Sequence, residues 1–353
     1  MNTSSTTSDF ISAVRGLAPL IAEHRQSFDR ERCLPEPVFA ALAEAGLFRL
    51  WTPRSLGGPQ LSPLEFMDIV EEAAALDGSV GWLVGNGAGM SRVAGYLGPV
   101  VAREMFEDPK AFMVSGTMPN GVATPHDGGY LVSGRWTFGS GSNHANWFMG
   151  RCAMADTDGK KNPRHIACYF NAPDVEIIDT WHVSGLKATR SNDFEVKELF
   201  VPERYSHSYL DCPATEDDVL YRLPTQSIFP WTVSVVPLGM ARGAMTCAAE
   251  IASRKGRRGN AMLLRDQETV QTEFGRCEAL IRAARALLVE AMIELMAAVD
   301  VGGEALIAAR SGLRLACALV ADTARTVLDN ITTMLGAVSI FETTMLERCQ
   351  RDI

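Results

Sequence analysis

The chain has 353 residues, 47% of them hydrophobic and 21% charged, with a formal net charge of -9. That balance suits a soluble globular protein with sizeable cores in two or three domains and argues against nucleic acid or an anionic membrane as main partner. Eight cysteines stand singly without a CxxC pair, six histidines lack metal-ligand spacing, and no apolar run reaches the ~18 residues of a membrane span; reduced thiols, no metal site and a cytoplasmic location are expected.

Residues 8–108 read as helices. Phe10, Val14, Leu17, Leu20 and Ile21 recur at three and four residues; Phe39, Leu42, Ala45 and Leu47 follow the start signal Pro35-Glu36-Pro37, and Leu64, Met67, Ile69, Val70 and Ala73 follow Ser62-Pro63. A helical domain over 1–110 is expected. The period then shortens to two: Tyr130, Val132, Trp136 and Phe138 alternate after the turn Asp127-Gly128-Gly129, and residues 177–183 and 194–201 read as further strands ending at Pro202. This gives a middle β domain over 111–215. From 216 to 353 long helices return. Leu238, Ala241, Ala244 and Ala248 form one stripe, Val270, Cys277, Ile281 and Leu288 another, and residues 305–335 are apolar on nearly every face, which predicts a helix bundle and a homo-oligomer, dimer or tetramer.

The densest chemistry lies at residues 133–147, SGRWTFGSGSNHANW. The strand carrying Trp136 and Phe138 breaks at Gly139 and Gly141, where backbone can approach a flat polar ligand closely. Ser140, flanked by those glycines, can reach a ligand, or the small residues serve only a turn. Trp136 reads as core or as cofactor wall. His144 reads as proton donor or as a loop histidine satisfied by backbone. The basic run 254–258, RKGRR, is a solvated helix end or an anion contact. GxSxG, HExxH, P-loop and strand-to-helix GxGxxG motifs are absent.

The order of helical domain, β domain and helical bundle, with several local motifs, resembles the acyl-CoA dehydrogenase superfamily over nearly the whole chain. Residues 185–205, GLKATRSNDFEVKELFVPERY, resemble the family segment that closes its β domain with a Val-Pro pair; LERCQRD at 346–352 resembles its Arg-Asp signature. The resemblance implies an α+β fold: an N-terminal helical domain, a middle antiparallel β-barrel-like domain and a C-terminal four-helix bundle. It further implies that Trp136, Phe138, Ser140 and Gly141 line a flavin ring, with Thr189 and Ser191 on a neighbouring cofactor-side loop. Gly336 stands where a family glycine lies near the cofactor of the facing subunit.

Within the superfamily the chain is most similar to the two-component, group D flavin-dependent monooxygenases. The WxFxSG form of residues 136–141, the spacing from Trp136 to Trp147 and DGSVGW at 77–82 carry that similarity. The dehydrogenases' substrate-positioning arginine is missing near Pro230, and Arg257 stands where their Arg-x-x-Phe-Gly element, here starting at Arg254, has phenylalanine; this leaves FMN and FAD both open. The implied activity is hydroxylation of a small aromatic or heteroaromatic compound through a flavin C4a-hydroperoxide. Molecular oxygen is the co-substrate, and a separate NAD(P)H:flavin reductase provides reduced FMN or FAD. Ser140 would sit beside flavin N5, with His144 as the second catalytic candidate. The family's catalytic histidine or glutamate lies past the Arg-Asp pair, a position expected beyond Ile353. The alternatives are an FAD-dependent acyl-CoA dehydrogenase and a non-catalytic flavin-binding homologue.

Overall fold

Asp127 and Gly128, the latter at φ +75°, close a two-residue turn, and the alternating sequence on either side pairs into a hairpin of β1 (Met113–His126) and β2 (Gly129–Gly139). In the computed structural model, which describes residues 6–155, 161–256 and 262–353, this hairpin centres a seven-stranded sheet. β3 (Trp147–Ala155), β4 (Lys161–Asn171), β5 (Glu176–Ile178), β6 (Asn192–Pro202) and β7 (Ser206–Ser208) complete it in the order β5-β6-β2-β1-β3-β4-β7. The antiparallel expectation holds for every ladder except one. β1 and β3 run parallel, so the sheet is mixed. The strand expected over 177–183 stops at Ile178, because Asn192 Oδ1 accepts the backbone N–H groups of Thr180 and Trp181 at 3.2 and 3.1 Å and draws them off the ladder.

Two compact units make up the chain. The first comprises residues 1–66, 83–183 and 187–225, so most of the expected helical segment and the whole sheet fall together. Its helices are α1 (Thr7–Gly16), α2 (Ala18–Glu31) and α3 (Glu36–Glu44), the start of α4 (Pro63–Leu76), the end of α5 (Gly78–Ser91), α6 (Pro99–Phe106) and the short α7 (Val219–Arg222). A capping box of Thr6 and Asp9 starts α1, and Pro37 sits in the first turn of α3, as its sequence signal predicts.

The core of the sheet is built on Trp136. Its indole is fully buried, stacks on Phe194 at 5.2 Å between ring centroids and lies 5.5 Å from Phe170, while its Nε1 donates to the Arg151 carbonyl at 3.0 Å. Glycines from three strands make room for it. A Cβ at Gly116 or Gly121 of β1, Gly134 of β2 or Gly150 of β3 would come within 2.3–2.8 Å of the indole. A bulky ring on a crowded sheet thus requires glycine opposite each of its edges.

The second unit comprises residues 67–82, 184–186 and 226–353. It holds α8 (Thr225–Arg254) from residue 226 onward, α9 (Glu268–Ala298), α10 (Gly303–Leu335) and α11 (Met345–Asp352). Among the described residues the C-terminal helical region has three long helices and the eight-residue α11. The expected stripes of α8 and α9 are buried, but α10 has one buried stripe, not several: Leu313, Val320, Val327 and Leu335 face inward, whereas Ile307, Leu315 and Leu319 are exposed.

Filling the indole's cradle is therefore expected to disrupt the sheet. Gly150→Ala should lower stability by about 1–3 kcal/mol in a urea titration. Gly312→Ala in α10, whose added methyl meets Glu294 at an ordinary 3.7 Å, should instead raise it by about 0.5–1 kcal/mol.

Candidate functional site

The connection from β2 to β3 must cross the start of β1, because β1 lies between them. Residues 140–146 make that crossing and are fixed to Phe112: Asn146 N–H donates to the Phe112 carbonyl at 3.0 Å, and Phe112 N–H donates to Asn146 Oδ1 at 2.9 Å. Gly141, at φ +81°, packs so closely that a Cβ would stand 2.4 Å from the Phe112 ring. The length of the Trp136 to Trp147 stretch follows from this crossing.

Just before it, β2 slips register against β6 between Trp136 and Gly139. The irregularity turns Phe138 outward at φ +61°, unusual for a residue with a side chain, and leaves the residue 68% exposed. The Trp181 ring meets Phe138 edge-on at 6.0 Å. Trp181 is in turn held by Asn192 and by Arg32, whose Nη1 donates to its carbonyl at 3.1 Å while the guanidinium clasps Asp179 at 2.8 and 2.7 Å.

Ser140 follows, half-buried. Its Oγ lies 2.8 Å from Ser191 Oγ, which lies 2.7 Å from Thr189 Oγ1, so three hydroxyls form a chain running inward. The facing segment is fastened by Gly141 N–H donating to the Thr189 carbonyl at 2.7 Å and Ser142 Oγ donating to the Arg190 carbonyl at 3.0 Å. Leu186 and Arg190 there take φ of +49° and +41°. Strain gathered in one short segment is a common mark of a functional loop.

Five of the residues singled out in the sequence thus come together: Phe138, Ser140, Gly141, Thr189 and Ser191. Two do not. Trp136 cannot wall a ligand, because its indole has no exposed surface and serves as the sheet's core. His144 is spent elsewhere: its ring stacks on Phe39 at 3.9 Å and 7°, Nε2 meets the Leu34 carbonyl at 3.0 Å, and burial pushes its basicity below the ordinary histidine range. It is a packing residue, so the catalytic expectation for it fails. Arg254 and Gly336 belong to the second unit. Arg254 is the exposed last residue of α8, and Gly336, at φ +66°, ends α10, where Lys255 Nζ donates to the neighbouring Leu335 carbonyl at 3.4 Å. Arg257 lies outside the described residues. Trp181 escaped the sequence reading because it follows a strand signal that its own surroundings interrupt.

The set fits the edge of a planar heteroaromatic cofactor: exposed aromatic faces, a hydroxyl able to donate or accept, and a glycine permitting close backbone approach. Among the described residues no three potential metal ligands cluster, and no helix is long and apolar enough to cross a membrane. A separate cavity of about 540 Å³, walled in part by Tyr96, His207, Tyr209 and Tyr221, shares no residue with this set.

The Arg-Asp signature has a mechanical role in the second unit. Asp352 Oδ1 accepts Leu186 N–H at 2.6 Å and Arg351 donates to the Ser184 carbonyl at 3.1 Å. Gly185 is required there, since a Cβ would fall 1.7 Å from the Arg351 carbonyl oxygen. Burial, with Asp77 adding to it, pushes the Asp352 carboxyl up to about 7, while Arg348 stands 3.7 Å from Asp77, which caps α5 through Ser79 N–H at 2.9 Å.

Comparison with known proteins agrees with this architecture. Residues 6–97 match the family described as acyl-CoA dehydrogenase, N-terminal domain, and residues 231–353 its C-terminal domain. A pigment production hydroxylase of Rhodococcus erythropolis is 32% identical over 87% of this chain and 81% of its own. The FADH2-dependent resorcinol hydroxylase, oxygenase component, of a Rhizobium species is 27% identical over 77% of this chain and 71% of its own. The solved structure of XiaF from Streptomyces in complex with FADH2 and glycerol superposes with a TM-score of 0.89 at 25% identity, covering 98% and 89% of the two chains.

The raised Asp352 carboxyl gives a signed expectation. A folded-state value near 7 against an ordinary 3.8 means that its stabilisation is present in acid and is lost as pH rises through about 7. Asp352→Asn, which keeps the acceptor for Leu186, should melt above the parent at about pH 8.5, by a margin that shrinks steadily as pH falls through about 5 and closes only near about pH 4, the unfolded carboxyl's own range.

Proposed function

The chain belongs to the acyl-CoA dehydrogenase family, and on that premise we propose that it is the oxygenase component of a two-component flavin-dependent monooxygenase hydroxylating a small aromatic or heteroaromatic compound. The observation that carries this reading is the exposed Phe138 beside the half-buried, hydroxyl-linked Ser140 at one strand end. When bound, reduced FMN or FAD would supply the oxygen-activating chemistry, having been reduced by a separate NAD(P)H-dependent reductase. Phe138 and Trp181 would flank its ring, Ser140 would hydrogen-bond the ring edge, and Gly141 would let the backbone approach. Thr189 and Ser191 stand behind Ser140. Trp136 contributes from inside the sheet by fixing where β2 ends.

The two hydroxylase relatives favour oxygen transfer over acyl dehydrogenation. Arg254 is proposed as a cofactor contact, and Gly336 as a contact to the cofactor of a facing subunit, in a homo-oligomer. The exposed apolar residues Leu280, Leu287 and Ile293 on α9 and Leu315 and Leu319 on α10 support such an assembly. We place the reaction in the cytoplasm, where NAD(P)H is available and the eight free cysteines stay reduced.

The test supplies a flavin reductase, NADH and FMN, then follows oxygen uptake and ring hydroxylation of a phenol and indole panel. Hydroxylated product dependent on all three additions is expected, and Ser140→Ala should raise the ratio of hydrogen peroxide to hydroxylated product about tenfold or more. Anaerobic bleaching of the bound oxidised flavin by an acyl-CoA, with no hydroxylation, would overturn the reading.

A further inference from the structure

The cavity of about 540 Å³ lies beyond β7, four strands across the sheet from β2 and so roughly 19 Å from the candidate site at ~4.8 Å per strand. Its volume falls in the ~300–1,000 Å³ range of small-molecule sites. The loop that covers it is pinned twice: Tyr209 N–H donates to the His165 carbonyl at 3.0 Å and Thr215 N–H to the Gly95 carbonyl at 2.8 Å. Below, the buried Tyr221 donates from its hydroxyl to the Trp51 carbonyl at 2.9 Å.

Two of its walls, Tyr96 and Tyr209, share one arrangement. Arg92 lies over the Tyr96 ring at 5.1 Å and Arg151 over the Tyr209 ring at 4.4 Å, and neither arginine lines the cavity, so each ring has a cation behind it. Both guanidinium groups end on neutral acceptors. Arg92, 4% exposed, donates to the carbonyls of Leu220 at 2.9 Å, Tyr221 at 3.2 Å and Leu223; Arg151 donates to the Thr117 carbonyl at 3.4 Å and to His165 Nδ1 at 2.5 Å. Neither has a carboxylate partner among the described residues. A cation on one face draws π density toward itself and leaves the other face less negative, which favours stacking on an electron-rich ring.

The charges around the cavity narrow the class further. Glu216, which accepts from Ser55 Oγ, and Asp217, paired with Arg222 at 3.2 Å, place two carboxylates on its lining and disfavour an anionic ligand. The two cations behind the tyrosines disfavour a cationic one. Tyr209 Oη has no hydrogen-bond partner among the described residues and is available to a ligand O–H or N–H. We propose that this cavity binds a neutral, electron-rich aromatic molecule of the phenol or indole class, at a site separate from the strand end. The inference stands apart from the flavin reading, because such binding needs no cofactor.

Cys212 lines the cavity and Cys33 contacts Arg190 on the loop facing Ser140, so two thiols report on the two places in one experiment. Flavin-free protein is labelled with iodoacetamide, and each cysteine is followed by peptide mass spectrometry. Saturating indole should slow Cys212 labelling about tenfold and leave Cys33 within about twofold. Protection of Cys33 alone, of both thiols equally or of neither overturns the site. A nitroindole, electron-poor but similar in shape, and the charged analogues tryptamine and an indolecarboxylate should each need about threefold or more higher concentration for half-protection of Cys212. Half-protection at equal concentrations overturns the assigned class. Arg151→Met, which keeps an apolar stem without the charge, should weaken indole about threefold and narrow its advantage over the nitroindole; an advantage as wide as the parent's overturns the role of the cation. Should that variant fail to fold, the same comparison of indole with the nitroindole on the parent decides the point.

Discussion

Everything at the candidate site depends on the burial of one indole. Trp136 occupies a space that four glycines on three strands leave open, with Phe194 and Phe170 against it and its N–H paired with a backbone carbonyl. A side chain of that size, enclosed and hydrogen-bonded, fixes the register and height of β2 to within the tolerance of core packing. The next few residues have no such freedom to drift. Phe138 emerges at a strained φ, Ser140 turns beneath it, and Gly141 presses on Phe112, all because the strand behind them cannot move.

Much of this was legible in the sequence, because the relevant signals are local. The turn Asp127-Gly128, the alternation through Trp136 and Phe138, the break at the glycines and the end of β6 at Pro202 all depend on neighbouring residues. What depended on distant partners was not. Whether Trp136 faced a ligand or the core depended on glycines at 116, 121 and 150; His144 depended on Phe39 and Leu34, over a hundred positions away. Trp181 was hidden for a similar reason, since a side-chain carbonyl at Asn192 removes its backbone from the sheet. The parallel pairing of β1 with β3 likewise leaves no mark in either strand's own pattern.

The second unit shows the same division. Its helical stripes announced themselves by period, yet which stripes of α10 are buried depends on partners that the period does not name. The Arg-Asp pair, noticed as a motif, proves to be a fastening: two side chains and a glycine hold residues 184–186 to the end of α11, next to a carboxylate cluster with one arginine nearby. Asp77, from the DGSVGW motif, belongs to that cluster and caps α5. Two motifs read separately in the sequence thus describe one packed feature.

The central claim is that the end of β2 holds the edge of a flavin. An anaerobic crystal structure of the protein with reduced FMN tests it most directly. The account predicts ring density against Phe138 and Trp181, with the ring edge within hydrogen-bonding distance of Ser140 Oγ. Flavin density at another place, such as the cavity beside Tyr96 and His207, with the strand end bare, would contradict it.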